Sequence, residues 1–206
     1  MSRVRRFSAH TPRLALIFLV LLLAVPTALV AISEGAALMP LPFNLHLVDM
    51  ELPGIFRLHM LASGAALLLI PLTIAVRRDR SWHKPLGRLT AAAVVLGGLT
   101  ALPVAMASHS VAVARAGFFA QGLVWLALIA AGVFAVRRQQ YADHARLMLC
   151  MAAVASGALW VRLGTTVATS CDLPFDPIYG CVAWAGWMVP LAIVWKFPPR
   201  LSSMRT

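Results

Sequence analysis

An all-α, polytopic membrane bundle of six spans with both termini cytoplasmic is the architecture this sequence predicts, and three observations carry the prediction. The 206 residues are 61% hydrophobic and only 12% charged, and their mean hydropathy is +0.83. That composition leaves too little polar surface to clothe a soluble domain. Uncharged runs of about twenty residues recur along the chain, each long enough to cross about 30 Å of hydrocarbon at about 1.5 Å per residue. The basic residues cluster between these runs. The stretch from Arg77 to Arg88 holds five of the eighteen lysines and arginines in twelve positions, as a cytoplasmic loop does, because Lys and Arg near span ends resist translocation.

The chain opens with a basic cytoplasmic tail, residues 1–13, bearing Arg3, Arg5, Arg6 and Arg13. Residues 14–197 read as one six-helix transmembrane domain. Leu14 to Ile32 is the first span, nineteen residues without a charge. Ala31 and Ser33 could serve a signal peptidase, but the apolar core exceeds the usual signal length, which favours a retained span. Ser33 to Gly54 forms an outer loop with Glu34, Asp49 and Glu51, too polar and proline-broken to cross. Ile55 to Val76 is the second span and opens with Arg57 and His59. Leu89 to Ser108 is the third, in which Gly97 and Gly98 permit close backbone approach.

Ala116 to Val136 makes the fourth span. A second cytoplasmic loop holds Arg137, Arg138, Asp143, His144 and Arg146. The fifth span covers 145–168 and carries Arg162. The sixth covers 178–195, and residues 198–206 return to the cytoplasm. Fifteen of eighteen basic residues fall on the cytoplasmic side in this arrangement, and five of seven acids on the other. Trp82, Tyr141, Trp195, Trp160 and Tyr179 sit near the interfaces, as amphipathic rings prefer. The partners are the bilayer and, at the cytoplasmic loops, anionic lipid headgroups. A net charge of +11 raises the question of nucleic acid, but no basic helix face or aromatic RNA motif accompanies it.

Four histidines mark span ends in alternation: His59 and His109 outside, His83 and His144 inside. This order suits a bundle ligating two b-type haems through neutral imidazoles. Against that, His83 and His109 are twenty-six residues apart, about 39 Å on a continuous helix, which would hold the haems in polar layers. Histidines that merely face headgroups are the alternative, and His10 and His46 carry no assigned role. Arg57, His59 and Arg162 fall in the outer third and read as a basic pocket for an anion: a haem propionate, a carboxylate or a lipid headgroup. The alternative is that the arginines snorkel or pair with Asp49, Glu51 or Asp172. No acid falls within a span, which argues against proton relays.

Cys171 and Cys181 bracket the last outer loop and could be bridged, whereas Cys150 reads as a small packing residue. Phosphate loops, Gly-x-Ser-x-Gly and His-Glu-x-x-His are all missing, so no catalytic residue is assigned and hydrolase or nucleotide-driven chemistry has no starting point.

Four segments together resemble a known family. They are Arg57-Leu58-His59 with Ser63-Gly64, Trp82-His83-Lys84-Pro85-Leu86-Gly87-Arg88-Leu89, Ala142-Asp143-His144-Ala145-Arg146-Leu147-Met148, and Val161-Arg162-Leu163. The chain is similar over about residues 55–166 to the domain-of-unknown-function 2306 family of bacterial membrane proteins. Lys84 stands where that family usually has Arg, and Leu147 where an aromatic often precedes the Met. The resemblance implies a multipass inner-membrane protein without an assigned activity. Two functions stay open: a haem-binding electron-transfer module, or a non-redox bundle or transporter component that binds a small molecule or lipid.

Overall fold

The computed structural model describes residues 11–197. Arg3, Arg5, Arg6 and His10 of the first tail and Arg200 and Arg205 of the last lie outside them. Among the described residues the chain forms eight α-helices: α1 (Thr11–Gly35), α2 (Phe43–Glu51), α3 (Ile55–Ala75), α4 (Arg80–Ala107), α5 (Ala112–Arg137), α6 (Tyr141–Ala155), α7 (Gly157–Ser170) and α8 (Phe175–Lys196). Among the described residues, five segments are long and apolar enough to cross a membrane: α3, α4, α5, the continuous run of α6 with α7, and α8. α1 is also helical over 25 residues, and its described apolar part runs from Leu22 to Gly35.

The helices close on one another in the order α1, α3, α4, α5, then α6 and α8 against α5, with α7 packed on α8 and touching α1. Ile70, Val94, Trp125, Met151, Val154 and Trp187 meet in the middle, drawn from five different helices. Large apolar side chains also point outward along the bundle, including Leu29, Leu99, Leu123, Phe134, Val189 and Ile193. Apolar surface on both faces of a helix belongs in lipid, where the backbone must satisfy its own hydrogen bonds.

Glycines set the helix spacing, as the sequence suggests for α4. A Cβ on Gly97 would come 2.9 Å from Ser63 Oγ and 3.2 Å from Trp125, and one on Gly98 would come 2.7 Å from Leu126. α4 therefore lies tight between α3 and α5.

Four features differ from the sequence reading. The outer loop contains α2, whose Val48 packs with Phe56 and Met60. Leu41, Leu45, Val48 and Leu52 recur at helical spacing and were the available signal. α4 begins at Arg80, not Leu89, so most of the basic loop is helix. Asp79 caps it by accepting from the Ser81 amide at 3.0 Å, and the Ser81 hydroxyl and amide hold the Asp79 carboxyl below its ordinary range.

The fifth span breaks at Ser156, between α6 and α7. Ser156 Oγ donates to Ala153 O, and Gln121 of α5 donates Nε2 to Val154 O at 2.9 Å. A Ser-Gly pair with an inserted side chain is a standard cause of such breaks. Finally, α1 continues past the apolar run to Gly35, which places Glu34 in its last turn with 4% of its surface exposed. An acid does lie within this helix after all.

Candidate functional site

At the end of the bundle that carries α2, Glu34, Asp49 and Glu51 each meet a basic side chain. Asp49 of α2 takes Arg57 of α3 through Nε at 3.1 Å to both oxygens and through Nη2 at 2.7 Å. Glu51, at the end of α2, meets His109 Nε2 at 2.7 Å. Glu34 of α1 accepts from Arg162 Nη2 of α7 at 3.5 Å. Arg57 thus pairs with one of the acids considered for it, whereas the partner of Arg162 is an acid that the sequence placed in a loop.

These contacts separate the three residues expected to share a pocket. Arg57 and Arg162 flank the last turn of α1, since a Cβ on Gly35 would sit 3.0 Å from Arg57 O. His59 turns the other way and donates Nδ1–H to Gly97 O of α4 at 3.0 Å, with Ser63 and Thr100 hydroxyls each 3.4 Å away.

An open cavity of about 570 Å³ lies beside this end, lined by Ala37, Leu38, Met39, Pro40, Leu41, His46 and Arg57. Arg57 Nη1 has no partner among the described residues, because the bonds to Asp49 use only Nε and Nη2. His46 carried no assignment from sequence. Only the curl of the chain from α1 into α2 brings it opposite Arg57.

The other histidines serve as ties between helices. His83 Nδ1–H donates to Thr73 O at 3.2 Å, in the last turn of α3, where the backbone leaves carbonyls without amide donors. His144 Nδ1–H donates to Gly132 O of α5 at 2.9 Å.

This arrangement does not fit two bis-histidine haems, in which two imidazoles must face each other across one iron. His59 lies level with Gly97, and His109 follows the end of α4 at Ala107, ten residues or about 15 Å further along. His83 points from α4 to α3, and His144 from α6 to α5. No group of three or more potential metal-binding side chains is found among the described residues.

Cys171 and Cys181 are exposed free thiols. Val182, beside Cys181, packs on Gly164, which is seven residues from Cys171, or about 10 Å along α7. That exceeds the reach of a disulfide.

Three polar groups in the interior had escaped the sequence reading. Gln121, the one amide in the fourth span, was visible as such. Trp125 Nε1 and Trp187 Nε1 are buried without an acceptor among the described residues, and only the packing reveals this.

Comparison with known proteins extends the picture. The family described as predicted membrane protein (DUF2306) matches residues 56–197, from the start of α3 through α8 and beyond the stretch the sequence motifs marked. No curated protein and no solved structure matches the chain.

Proposed function

The chain belongs to the domain-of-unknown-function 2306 family of predicted membrane proteins, and on that premise we propose that it is a non-redox binding bundle whose α2 end takes a small amphiphile with an anionic head. In this reading α1 is the sixth span, both termini face the cytoplasm of a bacterial inner membrane, and the α2 end faces outward. The basic residues favour that orientation: of the eighteen, only Arg57, Arg115 and Arg162 then lie on the outer side.

The cavity beside Arg57 is the observation that carries the proposal. Asp49 fixes the guanidinium by its Nε and Nη2 edge, leaving Nη1 to meet a carboxylate or phosphate. Leu38, Met39, Pro40 and Leu41 give the apolar wall, and His46 adds a second group that can carry positive charge. A volume of about 570 Å³ suits a small ligand. The cavity opens at the end of the bundle, so the ligand's tail can lie along the apolar wall with its head at the membrane surface.

The test is thermal melting of the purified protein in mild detergent with decyl phosphate, against decanol as the neutral control. Decyl phosphate is expected to raise the melting temperature and decanol to leave it unchanged. The double substitution Arg57→Gln with Asp49→Asn removes the charge without leaving a buried carboxylate alone, and it is expected to abolish the shift. Equal shifts with decanol, or a shift that survives the double substitution, would refute the proposal.

A further inference from the structure

At the opposite end of the bundle, Arg80, Lys84 and Arg88 stand four residues apart on α4 and so form one row along the helix. All three are exposed, and none has a hydrogen bond, ion pair or ring partner among the described residues. Four other basic residues at this end are committed elsewhere: Arg77 to Ile74 O, Arg138 over the Phe134 ring, Arg146 to Trp195 and Lys196 over Phe197. Like charges at this spacing repel and weaken the helix that bears them. An anion from outside the fold is therefore the group that relieves the row.

Depth identifies the anion. From Leu89 to Ala107, α4 has nineteen residues without a charge, about 28 Å, which matches the hydrocarbon thickness. Arg88 then stands at the boundary, Lys84 about 6 Å beyond it and Arg80 about 12 Å beyond, so the row climbs through the headgroup layer and just past it.

The row is also held in place. His83 donates to Thr73 O, and Thr90 Oγ1 lies 2.7 Å from Thr73 Oγ1 while donating to Leu86 O at 2.8 Å. These bonds pin one side of α4 to α3 and turn the row away from it. On the other flank, Trp82 is 62% exposed and Leu89 57%, as suits side chains lodged among lipids.

We infer that Arg80, Lys84 and Arg88 form a docking site for the phosphate of an anionic phospholipid. A soluble acidic partner would have to enter the headgroup layer to reach Arg88, whereas the lipid is already there. This site is independent of the ligand proposed for the α2 end and of which end faces the cytoplasm.

The test uses the full chain in nanodiscs of phosphatidylcholine with a minority of phosphatidylglycerol, followed by native mass spectrometry of the lipids retained. Phosphatidylglycerol is expected to be enriched. The enrichment is expected to fall about fivefold per charge removed in Arg80→Gln, Lys84→Gln and Arg88→Gln, until none remains. Arg80→Lys with Arg88→Lys is expected to keep it, and added salt to lower it in the unaltered protein. Should the triple variant not fold, the single substitutions and the salt series decide the matter. Undiminished enrichment in the variants, or displacement of the lipid by an equal concentration of inorganic phosphate, would overturn the inference.

Discussion

Replacing Gly157 by Ala probes the break in the fifth span, and the outcome depends on what Gln121 is doing there. The new methyl would sit 2.6 Å from Gln121 Nε2, 3.2 Å from Gln121 Cδ and 3.1 Å from Trp187 Cβ. Overpacking of that kind costs about 1–3 kcal/mol, and up to about 1 kcal/mol returns because Ala is the better helix former. A net loss of about 1–2 kcal/mol is expected. Gln121→Ala removes the bond to Val154 O, worth about 0.6–1.7 kcal/mol inside a membrane bundle, and leaves a small void.

With both substitutions, the methyl occupies space the amide has vacated, and only the Trp187 contact remains tight. The double variant should then be about as stable as Gln121→Ala alone, a favourable coupling of about 1–2 kcal/mol by the logic of a double-mutant cycle. The measurement is equilibrium unfolding in mixed micelles of mild detergent and dodecyl sulfate, followed by circular dichroism. Additivity within about 0.5 kcal/mol would show that Gln121 does not occupy the break, and would refute the reasoning.

Two further outcomes follow from the histidines and from Asp79. Because His59, His83 and His144 each bond a backbone carbonyl of a neighbouring helix, the purified protein is expected to show no α-band on dithionite reduction, and His83→Ala to leave its spectrum unchanged. A stoichiometric band lost in that variant would restore the electron-transfer reading. The Asp79 carboxyl is held below its ordinary range by Ser81, so its contribution to the start of α4 is full above the unfolded carboxylate pKa of about 3.9 and is lost as pH falls below it. Amide exchange at Ser81 to His83 is expected to lose protection on acidification through that range, and at neutral pH in Asp79→Ala. Protection independent of both would rule out the cap.

The bilayer explains why so much of the fold could be read from the residues. An uncharged run in hydrocarbon has to be helical, so α3 at Ile55–Ala75 and α8 at Phe175–Lys196 nearly coincide with the runs expected at 55–76 and 178–195. Polar helices give no such signal. The first turns of α4 alternate Arg, Ser, Trp, His and Lys and look like loop, although the Asp79-x-Ser81 cap marks a helix start. Ser156 and Gly157 do not interrupt the hydropathy of their run, so the break between α6 and α7 is invisible until Gln121 is seen filling it. The site was legible where partners are close in sequence, as with Arg57 and Asp49, eight residues apart. It was not legible for Arg162 and Glu34, which lie 128 residues apart and are joined only because α7 closes the bundle against α1.

Charge compensation then separates the two ends of the molecule. At the α2 end, Arg57, His109 and Arg162 each have a carboxylate of their own, and two of those carboxylates belong to the buried residues Glu34 and Asp49. A ligand there cannot gain the full attraction of a bare cation. It must either displace an acid already in place or use the donors that acid leaves over, as Arg57 Nη1 allows. That favours a ligand whose affinity comes chiefly from apolar contact with Leu38 to Leu41, with the anionic head conferring selectivity. At the α4 end, Asp79 is spent on Ser81, and the row from Arg80 to Arg88 has no internal counter-ion among the described residues. Attraction there is uncompensated and lies at the surface, so salt screens it readily. The two proposals thus predict a recognition site that tolerates salt and a lipid contact that does not, and the ionic-strength dependence of each distinguishes them without any substitution.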